Sequence, residues 1–194
     1  MKKVIVIGSP GAGKSTFARK LRDCTGLPLY YLDMIWHRPD RTNISREEFE
    51  QRIRERIAGD RWILDGNYLR TMEMRLAACD TVFFLDYSLE VCLRGAETRI
   101  GKPREDLPWA ETEFDEEFRQ WILDFPRDQK PRIGELLKKY RDGRDIYIFR
   151  DREEAEQYLQ ILQACGPGDA FEPQRKELNR KLVDDQKRIG RTDV

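Results

Sequence analysis

Val4-Ile5-Val6-Ile7-Gly8-Ser9-Pro10-Gly11-Ala12-Gly13-Lys14-Ser15-Thr16 decides the fold. Four consecutive apolar residues read as a strand buried on both faces, the habit of a parallel sheet. The eight residues from Gly8 fit G-x-x-x-x-G-K-[ST], a phosphate-binding loop, and residues 15–21 read as the start of a helix. Glycines let the backbone curl until its N–H groups converge on phosphate oxygens. The helix N-terminus adds a favourable dipole for an anion. Gly8, Pro10, Gly11, Ala12, Gly13, Lys14, Ser15 and Thr16 are therefore the expected nucleotide contacts. Lys14 would reach the β- and γ-phosphates, and the Ser15 hydroxyl would bind Mg²⁺.

Outward from this loop, strands and helices alternate, the pattern of a parallel sheet covered by helices on both faces. Leu29-Tyr30-Tyr31-Leu32, Trp62-Ile63-Leu64, Thr81-Val82-Phe83-Phe84-Leu85 and Ile146-Tyr147-Ile148-Phe149 read as the remaining strands. Ser45 with Glu48 three residues later forms a capping box ahead of a helix bearing Phe49, Ile53 and Ile57 and ending at Gly59. Phe114, Phe118, Trp121 (or Ile122) and Phe125 recur at helical spacing. Asp151 is a candidate cap for a last helix carrying Ala155, Tyr158, Leu159 and Leu162.

Three strands run into a carboxylate: Asp33, Asp65 and Asp86. Ligands of open parallel sheets bind beyond the carboxyl ends of the strands. Asp65 closes an apolar run and is expected to orient Mg²⁺, a cation that keeps several waters. Asp33 is placed to act as general base toward an acceptor hydroxyl. Asp86 is followed by Tyr87 rather than a water-activating carboxylate, which weighs against a plain ATPase. Phosphoryl transfer spreads negative charge over equatorial oxygens, so arginines matter. Arg70, Arg75, Arg94 and Arg99 are candidate phosphate clamps, Arg99 foremost as a catalytic group. Residues 94–108, basic and broken by Gly101, Pro103 and Pro108, read as a short lid. Trp36 and Tyr68 are candidate flat walls of an acceptor pocket. His37, the single histidine, is assigned no role.

The 194 residues suit one domain with some decoration: a domain over 1–165, and a charged tail over 166–194 read as an amphipathic helix for the body or a homodimer partner, or as a solvated tail. With 36 Lys+Arg against 36 Asp+Glu, the formal net charge is +0. The chain therefore lacks the global basic field expected of direct nucleic-acid binding. Four scattered cysteines without a C-x-x-C pair argue against zinc and for reduced thiols in a cytoplasmic protein. No apolar run reaches the ~20 residues that span a bilayer.

The phosphate loop resembles that of adenylate kinase, including the proline at its third position. Leu64-Asp65-Gly66-Asn67-Tyr68-Leu69-Arg70-Thr71 resembles that family's Leu-Asp-Gly-Phe-Pro-Arg-Thr segment, with Arg70 one position late and Arg75 as the other candidate. Asp65-Gly66-Asn67-Tyr68, the stretch 92–99 and the aromatic helix near Trp121 make residues 1–162 similar to the bacterial topology modulation proteins, a branch of the adenylate-kinase-like P-loop kinases. The resemblance implies a doubly wound α/β fold with five parallel strands in the order 2-3-1-4-5. It also implies ATP, Mg²⁺ and phosphoryl transfer to a small acceptor such as a nucleoside or nucleotide. The compact region after Asp33 and the short lid favour a small-molecule or nucleoside kinase over a true adenylate kinase. A nucleotide-binding regulatory or DNA-associated protein with little kinase activity is the alternative from another class.

Overall fold

A computed structural model describes residues 1–165 of the chain. The elements, in order, are β1 (Lys3–Gly8), α1 (Lys14–Thr25), β2 (Leu29–Tyr31), α2 (Leu32–Trp36), α3 (Arg46–Ile57), β3 (Trp62–Asp65), α4 (Leu69–Ala78), β4 (Thr81–Leu85), α5 (Leu89–Glu97), α6 (Glu116–Asp128), α7 (Lys130–Lys139), β5 (Asp145–Phe149) and α8 (Arg152–Cys165). The strands form one parallel sheet in the order β2-β3-β1-β4-β5, as the resemblance implied.

The period-2 alternation of a strand divides the apolar residues between two cores. Val4, Val6, Ile63, Phe83, Leu85, Tyr147 and Phe149 pack with Phe17, Ala18 and Leu21 of α1, Ala96 of α5, Ile122 of α6 and Tyr158 of α8. Ile5, Ile7, Trp62, Leu64, Val82 and Phe84 pack on the opposite face with Ile53 of α3, Met72 of α4 and Ile133 of α7. Both faces being covered, the central strands read as unbroken apolar runs. Full burial of each such side chain contributes about 1.5–3 kcal/mol.

Local signals act where expected. The Ser45 hydroxyl accepts from the Glu48 N–H at 3.1 Å, and the Asp151 carboxylate accepts from the Glu154 N–H at 2.9 Å. Three details differ from the sequence-based expectation. The second strand stops at Tyr31, and Leu32 and Asp33 open the one-turn helix α2. Phe114 precedes α6 instead of lying on it, and of the alternatives Trp121 and Ile122 it is Ile122 that is buried, with Phe125, while Trp121 is half exposed. Residues 94–97, expected in the lid, continue α5. The tail over 166–194 and its dimer role lie outside the described residues. No helix among the described residues is long and apolar enough to cross a membrane.

Candidate active site

Because all five strands run the same way, their carboxyl ends share one edge. That edge opens into a cleft of about 1410 Å³. Residues 10–16, Asp33, Trp36, Asp65, Tyr68 and Arg99 line it together. Sequence positions far apart thus converge on one cavity.

The loop between β1 and α1 owes its curl to Gly8, Gly11 and Gly13, whose φ angles are 150°, 79° and 91°. Gly11 has no room either: a Cβ there would lie 1.9 Å from the Cys92 carbonyl oxygen. Helix α5 presses equally close from its side, since a Cβ on Gly95 would lie 2.1 Å from the Gly11 carbonyl oxygen. Lys14 Nζ donates to the Ser9 carbonyl at 3.1 Å, and burial lowers its pKa, with Asp65 and Asp33 opposing.

Asp65 ends β3 beside β1, paired in register with Val6. It is 5% exposed, and its Oδ1 has no hydrogen-bond partner. Burial raises its pKa from 3.8 to about 7; Lys14 and the Ser15 hydroxyl pull the other way, and Asp33 and Asp106 add to the rise. An orphaned carboxylate oxygen against a phosphate loop is costly to maintain in protein alone. A hard cation with oxygen ligands answers that cost, so Ser15 and Asp65 fit Mg²⁺.

Asp33, in the first turn of α2, accepts a 2.7 Å hydrogen bond from the Tyr68 hydroxyl. Tyr68 sits at a left-handed φ of 37°, and its pKa is raised by burial and by Asp33. Trp36 and Tyr68 are both wall and packing: their rings lie 6.2 Å apart, and each packs on Phe49, at 5.2 and 4.9 Å.

The turn after β3 is fastened to the phosphate loop by Asn67. Its Oδ1 accepts from the Gly8 N–H at 3.0 Å, and its Nδ2 donates to the Gly8 carbonyl at 2.6 Å. Arg75 underpins the same turn and does not face the cleft. It is fully buried and donates to the carbonyls of Gly66 (2.9 Å), Asn67, Tyr68 (3.2 Å) and Thr71 (3.3 Å). Burial lowers its pKa to about 9. Arg70 pairs with Glu50 at 2.5 Å and Arg94 with Glu90 at 2.5 Å, both exposed and outside the cleft lining. The structure therefore does not bring Arg70, Arg75 or Arg94 to the phosphate loop. Asp86, just after β4, pairs with Lys130 at the start of α7 (2.9 Å) and with Arg150 just after β5.

Residues 98–115 contain no helix and cross the cleft. Arg99 pairs with Glu111 at 3.0 Å and lies 4.9 Å over the Phe118 ring; burial and Arg104 lower its pKa. In sequence the bases of this segment stand out, and its acids draw no notice. Arg104 grips Asp106 with two bonds, at 3.1 and 2.7 Å, and Glu111 with a third at 2.5 Å. Asp106 in turn accepts from the Ser15 hydroxyl at 2.6 Å. Burial would raise the Asp106 pKa, but the bonds and charge of Arg104 hold it at about 2. Trp109 meets the His37 ring at 5.0 Å and lies under Arg41 at 5.9 Å.

No protein-family model and no curated protein sequence matches the chain. Solved structures do. A shikimate kinase from Acinetobacter baumannii in complex with shikimate is 19% identical with a TM-score of 0.54, over 84% of this chain and 94% of that one. A shikimate kinase from Bacteroides thetaiotaomicron is 18% identical with a TM-score of 0.48, over 83% and 95%. An unliganded sugar kinase from Janibacter is 18% identical with a TM-score of 0.49, over 82% and 91%. At these identities the likeness, carried by the first of the three, is one of fold: the described residues share the α/β fold of that shikimate kinase.

Proposed function

We propose that the protein is an ATP-dependent kinase for a small hydroxyl-bearing acceptor, of which nucleosides and nucleotides are the first class to test. The observation that carries this reading is the shared cleft: the phosphate loop with Lys14 and Ser15 on one side, and Asp33 with its Tyr68 bond on the other. A water-activating ATPase has no need of a carboxylate backed by an aromatic wall.

In this reading the loop N–H groups and Lys14 bind the β- and γ-phosphates, Lys14 exchanging its bond to the Ser9 carbonyl for phosphate oxygens. Ser15 and Asp65 would hold Mg²⁺, which when bound neutralises phosphate charge. The Tyr68 hydroxyl occupies Oδ1 of Asp33, which leaves Oδ2 for the acceptor. Asp33 takes the acceptor proton as the acceptor oxygen bonds to the γ-phosphorus. The bond from that phosphorus to the β–γ bridging oxygen breaks, and ADP leaves. Residues 98–115 exclude water, and Arg99 supplies positive charge where the equatorial oxygens develop theirs.

A panel of nucleosides, nucleotides, sugars and hydroxy acids incubated with γ-³²P-ATP tests the reading. One acceptor should be phosphorylated, and Asp33→Asn should lower its turnover about 10²–10⁴-fold, the range for a positioned base. Lys14→Ala should lose about 2–4 kcal/mol of transition-state stabilisation. Full turnover by Asp33→Asn rejects Asp33 as the base, and full turnover by Lys14→Ala rejects Lys14 as the phosphate ligand.

A further inference from the structure

Asp106 is 91 residues from Ser15 in sequence, yet its Oδ2 accepts the Ser15 hydroxyl at 2.6 Å. It is 6% exposed, and Arg104 fixes both of its oxygens. Arg104 is itself tied to Glu111, and the Glu111 carbonyl accepts from the Gly101 N–H at 2.8 Å, which closes residues 101–111 into a braced loop. The segment crossing the cleft thus delivers a carboxylate, paired with Arg104, to the serine of the phosphate loop.

A loop that collects N–H groups and Lys14 for an anion gains nothing from a carboxylate oxygen bonded to its serine, even one paired with Arg104. A divalent cation would give that oxygen and a phosphate a shared partner. A second feature points to the same occupant: Asp65, 5% exposed in the same cleft, has an Oδ1 without a hydrogen-bond partner. Two buried carboxylates, one from β3 and one from the crossing segment, therefore share one cleft with the Ser15 hydroxyl, which is bonded to the second of them. Among the described residues no group of three or more His, Cys, Asp or Glu could hold a metal unaided. Two carboxylates and a hydroxyl suit a cation that draws its other ligands from water and phosphate, as Mg²⁺ does.

We propose that Asp106 is a member of the Mg²⁺ site carried by the segment over the cleft. With that segment down, as here, its carboxylate would hold a hydrated cation together with Ser15 and Asp65, and that shared hold would keep the segment down. This rests on the phosphoryl-transfer reading. It makes closure depend on metal as well as nucleotide. A latch that simply blocks the empty loop is the competing account, and it reverses the sign of the effect.

The test is binding of the non-hydrolysable ATP analogue AMPPNP by calorimetry over a range of Mg²⁺ concentrations. Asp106→Asn keeps the shape and an acceptor for the Ser15 hydroxyl, and its thermal melt monitors folding. The Mg²⁺ concentration that gives half-maximal tightening should rise at least fivefold in Asp106→Asn and by less in Asp106→Glu. Arg104→Gln, which frees the carboxylate without removing it, should shift the midpoint the same way by a smaller factor. It also serves if Asp106→Asn fails to fold. Hydrogen exchange of amides 98–114 should slow with Mg²⁺–AMPPNP in the wild type and much less in Asp106→Asn. An unchanged Mg²⁺ midpoint, or tighter AMPPNP binding by Asp106→Asn at every Mg²⁺ concentration, overturns the proposal; the second result identifies a latch. A wild type that binds no AMPPNP at any Mg²⁺ concentration rejects the kinase reading itself.

Discussion

Asp65→Asn should make the protein more stable above neutral pH, in proportion to a charge it no longer buries. Burial raises the Asp65 carboxyl from 3.8 to about 7, with Lys14 offsetting part of the rise. A carboxyl with a raised folded pKa holds its proton more tightly folded than unfolded. Its contribution is whole below the unfolded value, near 3.8, and is lost as pH rises through about 7. Integrating one such site from pH 5 to pH 8 gives a loss of about 2–3 kcal/mol. Asparagine does not titrate, so the variant escapes this loss, and the groups that do not interact with Asp65 cancel in the comparison. Urea unfolding of both proteins in EDTA at pH 5 and pH 8 reads it directly, with equal m-values as the check on two-state behaviour. The gap favouring Asp65→Asn should widen by about 2–3 kcal/mol between the two pH values. Parallel stabilities would refute the reasoning, because they would mean that the carboxylate is well solvated or paired when folded.

Arg75→Met should cost about 2–4 kcal/mol in urea unfolding, because buried carbonyls of the turn lose their donor while the burial of a charge is relieved. A drop in nucleotide affinity at unchanged stability would instead return Arg75 to the phosphates. Arg99→Ala should lower kcat about 10–100-fold and raise the KM for ATP by less, since the charge it meets grows in the transition state. Equal effects on both, measured by steady-state kinetics, would make it a ground-state contact.

The fold was legible because each central strand is a short apolar run and the phosphate loop has its own spacing. Asp33 and Asp65 were legible for the same reason, standing where apolar runs stop. Helices α4, α5 and α7 escaped the reading: each is short, α5 and α7 carry a glycine, Gly95 or Gly134, and α7 opens on Lys130-Pro131. Arg75 was misplaced because the sequence reports its charge and hides the carbonyls that surround it. Asp106 was missed because it lies among prolines in a stretch without periodicity, and its tie to Ser15 exists only in three dimensions. The acids of that stretch, overall charge-balanced, were the available signal.

The contact of Gly11 with Gly95 has a consequence for the lineage of this chain. The phosphate-loop pattern leaves position 11 open to any residue, and helix propensity disfavours glycine at position 95. Neither glycine is demanded by its own motif, yet backbone meets backbone at both. The pair should therefore be inherited together. Homologous chains that put a side chain at one position should show a shifted or shortened α5, and those that keep both should keep the same junction between phosphate loop and crossing segment.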